Sequence, residues 1–189
     1  MKKIMSRDEK EKKEKRDRIV IGSVLIAILV FSTAGFAFFS VINLDKGEER
    51  EYNGIKFVVR GDGLWHFLIN GQEFSTAYNP EQTKNISIEG EINLQNYYKK
   101  PLYFSHDSDE QGVSEIVRNI ERYAERVQLA CIEQCEENLP VKSCEDNVII
   151  IKAGNETLIK QENNCIYILG EQNELIRAGD AFIFKLLGI

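Results

Sequence analysis

The chain has 189 residues, 43% of them hydrophobic and 29% charged, with a formal net charge of −6. That acidic balance excludes a protein that grips nucleic acid through its overall charge. Four cysteines in such a length exclude a disulfide-dense mini-protein, and three prolines with thirteen glycines exclude collagen-like or proline-rich low complexity.

The average conceals three regions. Residues 1–18 hold nine Lys/Arg and five acids, a net +4. Residues 19–42 then run 24 positions without an ionisable side chain. A bilayer core needs about 20 apolar residues, so this run predicts a transmembrane helix with room for tilt. Its hydroxyls, on Ser23, Ser32, Thr33 and Ser40, can bond a carbonyl one turn back. A cleaved signal peptide fits less well, because the run outlasts an h-region of about 7–15 residues and continues past the small residues Gly35 and Ala37. A signal anchor is therefore expected. Lys and Arg crowd its first flank, and Asp45, Glu48, Glu49 and Glu51 dominate the second. The positive-inside rule places residues 1–18 in the cytoplasm and 43–189, net −10, outside.

Residues 43–54 are polar and charged and read as a stalk. From Ile55 the pattern is strand-like: 55–60, 64–70 and 72–78 are rich in β-branched and aromatic residues, with Gly61-Asp62-Gly63 and Asn70-Gly71 between them. Asn-Gly between alternating runs is a two-residue hairpin signal. A three-strand antiparallel meander follows, and Arg60-Gly61-Asp62 is explained as its turn. On the middle strand Trp65 and Phe67 share one face and His66 takes the other, where it is expected to be exposed or locally bonded. Asn79-Pro80 ends the meander, since proline removes a ladder donor.

A short strand is expected within 85–92 and another at 102–105. The polar loop 106–112 follows. Val113, Ile116, Val117, Ile120 and Tyr123 then recur at helical spacing over 113–126. The stretch 127–132 fits either a continued helix or a strand. Val148, Ile149, Ile150 and Ile151 read as a buried central strand, 157–161 and 165–169 as a hairpin, and 175–187 as a closing amphipathic helix. The expected fold class is α/β or α+β. A transmembrane helix at 19–42 and a stalk at 43–54 precede one extracytoplasmic domain over 55–189. That domain has a mixed β-sheet, an N-terminal β-meander and two packed helices.

All four cysteines, Cys131, Cys135, Cys144 and Cys165, fall on the predicted outer side, where disulfides are expected. Four cysteines allow three pairings. The spacing lacks paired zinc knuckles, and Cys131-x-x-x-Cys135 is not the redox C-x-x-C spacing. Asn85-Ile86-Ser87 and Asn155-Glu156-Thr157 are glycosylation sequons if the domain lies outside. The sharpest cluster of chemistry is Ser105-His106-Asp107-Ser108-Asp109-Glu110, between a predicted strand and a predicted helix. Imidazole and carboxylates together can take a divalent metal, so His106, Asp107, Asp109 and Glu110 are weak metal-ligand candidates. The blander reading, a solvated loop with a helix cap, is favoured. Tyr97, Tyr98 and Tyr103 read as core or rim packing before a binding surface. Neither a catalytic residue nor a cofactor site is assigned.

The segments Leu139-Pro140-Val141-Lys142-Ser143-Cys144, Val148-Ile149-Ile150-Ile151, Asn164-Cys165-Ile166-Tyr167-Ile168-Leu169-Gly170 and Ala178-Gly179-Asp180-Ala181-Phe182, with Leu186-Leu187-Gly188-Ile189 at the end, resemble a family of small archaeal single-pass membrane-anchored proteins. The family carries over no activity and no catalytic residue. The resemblance implies an archaeal source and a Cys144–Cys165 bridge, with Cys131 and Cys135 forming a second bridge or staying reduced.

The expected function is a membrane-tethered extracytoplasmic binding or envelope-assembly module without enzymatic activity. Its partners would be the bilayer, through residues 19–42, and a protein or envelope component, not nucleic acid. The alternatives are a metal-assisted hydrolase or thiol–disulfide protein, and a structural subunit of a membrane complex docked through the helix, where Ser23-x-x-x-Ala27 is a small-residue pair.

Overall fold

Apolar periodicity switches from helical to alternating and back along this chain, and the elements follow it. The computed structural model describes residues 15–30, 47–107, 110–132, 135 and 138–189. Helix α1 covers residues 15–30, and Ser23 Oγ donates to the Ile19 carbonyl at 2.8 Å, one turn back. No helix among the described residues is long and apolar enough to cross a membrane. Residues 31–42 of the expected span, the first 14 residues and 43–46 of the expected stalk lie outside the described residues.

Residues 47–189 form one compact unit. It begins with a four-stranded antiparallel meander in the order β1-β2-β3-β4: β1 (Glu49–Tyr52), β2 (Ile55–Val59), β3 (Trp65–Ile69) and β4 (Gln72–Thr76). Here the expected stalk is corrected, because 49–52 pair with β2 throughout. The turn Asn53-Gly54 has φ of 50° and 76°, and Asn70-Gly71 has 51° and 77°. Both pairs sit in the left-handed region that a two-residue hairpin with matching twist requires. Glu49, Arg50 and Glu51 mask the first hairpin in sequence because β1 contributes only Tyr52 to the core. Phe57, Trp65, Phe67 and Phe74 form the buried face. His66 lies on the other face, between Asp62 (2.9 Å) and Glu73 (3.1 Å).

The short helix α2 (Pro80–Thr83) opens with a reciprocal cap between Asn79 and Gln82. A six-stranded sheet follows in the order β5-β9-β10-β8-β6-β7. Its strands are β5 (Ser87–Glu89), β6 (Pro101–His106), β7 (Arg126–Leu129), β8 (Val148–Ala153), β9 (Leu158–Glu162) and β10 (Cys165–Gly170). β7, β6, β8 and β10 run parallel, and β9 is antiparallel to β10. Helix α3 (Glu110–Ile120) joins β6 to β7, and α4 (Leu175–Leu187) closes the chain.

Two boundaries differ from the helical reading of 113–126. α3 stops at Ile120, a single 3-10 turn spans Glu121–Tyr123, and 126–129 is a strand. Val127 packs on the core while Arg126 and Gln128 face solvent, so alternation decides that stretch.

The sheet is buried on both faces, as a parallel centre requires. Leu102, Phe104, Ile149, Ile151, Ile166 and Ile168 meet Ile116 and Ile120 of α3 and Ala178 and Phe182 of α4. Tyr103, Val148, Ile150 and Cys165 meet Ala130 on the opposite face, in the connection from β7 to β8. α4 is apolar nearly all round because it serves both sheets: Phe184 contacts Phe57 and Phe67 of the meander at centroid distances of 6.0 and 5.8 Å.

Candidate functional site

The topology singles out one end of the larger sheet. From β6 the chain moves to β7 on one side; from β8 it moves to β9 and β10 on the other. The carboxyl ends of β6 and β8 therefore flank the point where strand order reverses, the usual ligand position in open α/β sheets. His106, the last residue of β6, pairs with Ile151 of β8 at that end.

Leu102, Phe104 and His106 alternate onto the face covered by α3. Phe104, His106, Val113, Val117, Val127 and Leu129 are the chief walls of a groove of about 350 Å³ between α3 and the edge strand β7. His106 Nδ1 is buried there without a hydrogen-bond partner among the described residues. A buried ring nitrogen left unpaired is costly, but having no accessible surface it offers the groove no polar contact, and the walls that the groove presents are chiefly apolar. The arrangement suits an apolar group. A larger hollow, about 470 Å³, lies at the seam between the meander and the end of α4, where Tyr123 and Gln72 bond to one another. It has no such unmet group and lies away from the strand-order reversal.

Of the expected metal-ligand candidates, His106 and Asp107 lie among the described side chains, and Asp109 and the side chain of Glu110 do not. Asp107 is exposed, Asp109 lies outside the described residues, and Glu110 opens α3. Among the described residues no group of three or more His, Cys, Asp or Glu is placed to hold a metal ion.

Cys144 is bridged to Cys165, and Cys131 to Cys135, with Cα separations of 4.9 and 6.2 Å. The first bridge ties the β7–β8 connection to the start of β10. The Asn164 amide donates to the Cys144 carbonyl beside it (3.2 Å). Asn85 and Asn155 are both exposed. Tyr97 and Tyr103 are buried and Tyr98 exposed. Arg126 Nη2 donates to the Tyr103 hydroxyl (2.6 Å), and Lys142 Nζ stands 4.3 Å above its ring.

A polar cluster that the residue pattern did not reveal joins the two sheets. Asn119 Nδ2 donates to the carbonyls of Ser75 (2.8 Å) and Glu115 (3.0 Å), while its Oδ1 accepts from the Ser75 amide (3.0 Å). Arg122 donates to the Glu73 carbonyl (2.8 Å), and the Tyr78 amide donates to Asp180 Oδ2 (2.8 Å). Side chains from α3, its following turn and α4 thus satisfy the outer edge of β4 and the residues just beyond it. Asp180 is fully buried, and Glu115, paired with Arg118, faces it. Burial first, and the Glu115 charge second, hold the Asp180 carboxyl well above the ordinary carboxylate range. The signal available in sequence was one acid within the apolar run Ala178-Gly179-Asp180-Ala181-Phe182.

Compared with known proteins, the chain matches no family model, no curated protein and no solved structure.

Proposed function

We propose that the chain is a membrane-tethered, extracytoplasmic binding module that holds a partner without chemically changing it. The observation that carries the binding reading is the groove between α3 and β7, whose walls are chiefly apolar and include His106 at the carboxyl end of β6. The tether reading is supported by α1, whose apolar side chains, including Ile19, Val20, Val24 and Ile28, are between half and seven-tenths exposed on every side. A helix apolar all round calls for an apolar medium. Two disulfides in the domain support an oxidising compartment.

The experiment is photocrosslinking in native membranes. A photoreactive phenylalanine is placed singly at Leu68, Tyr98, Leu129 and Val141, the exposed large hydrophobic side chains among the described residues of the folded unit. A reproducible adduct at Leu129 is expected. No reproducible adduct at any of the four positions would sink the module reading.

Topology has its own test. When the full chain enters a eukaryotic secretory pathway, Asn85 and Asn155 should each gain a glycan, seen as two mass steps. Each step should vanish with Asn85→Gln or Asn155→Gln. An unmodified chain inserted in the membrane would place 43–189 on the cytoplasmic side.

A further inference from the structure

The hollow of about 470 Å³ at the seam between the meander and the end of α4 has a size that suits a small molecule. Four parts of the fold wall it: the β3–β4 hairpin, the connection from β5 to β6, the 3-10 turn after α3, and the last turn of α4. Its floor is apolar, from Phe74, Ile92, Tyr123 and Leu187, all buried or half-buried. Its rim is polar, from the exposed Gln72, Asn93 and Lys185.

The chemistry of that rim is one-sided. Gln72 Oε1 already accepts from the Tyr123 hydroxyl, and Asn93 Oδ1 accepts from the Gln95 amide at 2.9 Å. Each carboxamide has thereby engaged its acceptor, and its NH2 donors have no partner among the described residues. The Lys185 ammonium, a donor and a cation, meets no acid among them either. No Asp or Glu among the described residues lines the hollow, although residues 43–189 carry a net −10.

We propose that this hollow binds a small organic acid, its apolar body on the floor and its anionic oxygens on Lys185 and the carboxamide donors of Gln72 and Asn93. A ligand that enters displaces the water on those donors, so it must bring acceptors of its own. A neutral hydrocarbon fills the floor and leaves three donor groups stripped of water. A cation leaves them unpaired and adds repulsion from Lys185. An acid satisfies both halves. Lys185 also sits in the last turn of α4, where a cation suits the helix dipole. That role alone gives no preference for an acid over its neutral amide, which is the comparison the test makes. The site is separate from the groove between α3 and β7, so it goes beyond the module reading and stands or falls by its own experiment.

The test uses the full chain in phospholipid nanodiscs, with isoleucine and leucine methyl groups labelled for NMR. It is titrated separately with naphthoate, naphthamide and naphthylmethylammonium, with empty discs as the blank. Naphthoate should shift the Ile92 and Leu187 methyl signals saturably. The amide, alike in shape but uncharged, should bind about fivefold more weakly, the effect expected of one exposed ion pair. The ammonium should shift neither signal. Lys185→Gln should erase the advantage of the acid over the amide, and Lys185→Arg should keep it. Lys185 is exposed, so neither substitution opens the core. If the glutamine variant nonetheless fails to fold, the comparison of the three probes on the unmodified chain decides the matter. The proposal is overturned if naphthoate leaves both methyl signals unmoved, if the three probes bind alike, or if Lys185→Gln keeps the advantage of the acid. Failure of photocrosslinking at all four surface positions would sink the module reading and leave this site standing.

Discussion

Replacing Cys144 and Cys165 together by alanine should destabilise the folded unit by about 3 kcal/mol, lowering its melting temperature by about 10 °C. The bridge spans 21 positions, so removing it restores the closure entropy of a loop of that size to the unfolded chain. Its place in the fold adds to the effect. The connection from β7 to β8 passes over the face of the sheet that α3 and α4 leave uncovered, and its described residues have little regular structure there. Cys165 is fully buried against Val148 and Tyr103, so the bridge is also part of that small core. Alanine is chosen over serine to avoid burying an unpaired hydroxyl. The paired control removes Cys131 and Cys135, which are only four positions apart. That shorter loop should cost about 2 kcal/mol. Thermal and urea melts of both double variants give the comparison. If the Cys131–Cys135 removal costs more, loop closure is not what the bridges supply.

Much of this fold was readable because its determinants are local. Asn70-Gly71 between alternating runs announces a hairpin without knowledge of the partner strand, and Val148–Ala153 declares a doubly buried strand by its unbroken β-branched run. Asn53-Gly54 carries the same turn chemistry. It was hidden because three charged residues before it belong to an edge strand, whose exposed side chains need not alternate. The stretch 127–132 was ambiguous for a related reason: six residues hold too few periods to separate 2.0 from 3.6. The groove was half legible. His106 was visible as the residue after a predicted strand, but its place as the last residue of β6, β7 lying beside β6 and α3 crossing above are tertiary facts. Of the acids after it, which sequence leaves as a solvated loop before metal ligands, Asp107 is exposed and does not line the groove. The β4 clamp was the least legible. Asn119 lies 44 positions from Ser75, and Asp180 lies 102 from Tyr78. No local pattern says that a polar residue on an apolar helix will complete the backbone bonds of a distant strand.

Asp180→Asn should make the protein more stable at neutral pH, with the gain shrinking as the medium is acidified. The native carboxyl is fully buried between α4, α3 and the residues after β4, facing Glu115 with Arg118 behind it and accepting the Tyr78 amide. Its folded pKa is raised, chiefly by burial and then by Glu115, so the folded state keeps a proton that the unfolded chain gives up near pH 4. The stability this group contributes is therefore complete below the unfolded value and is lost as pH rises through the folded one. Between those limits the loss is about 1.4 kcal/mol per pH unit. Asparagine keeps the acceptor for the Tyr78 amide and has no proton to lose, so the variant escapes that slope. Urea unfolding of both proteins at several pH values between 3 and 8 measures it: the curves should meet at the acid end and diverge upward. A constant offset across the range would mean that the carboxyl titrates alike in both states. Asp180→Leu is the informative contrast. It also removes the titration, but it leaves the Tyr78 amide without its acceptor, at a cost of about 1–3 kcal/mol at every pH. If leucine and asparagine behave alike, Asp180 does not hold the meander to the helices through that bond. If they separate as stated, one buried acid both fastens the two sheets together and makes the fastening weaker as the pH rises.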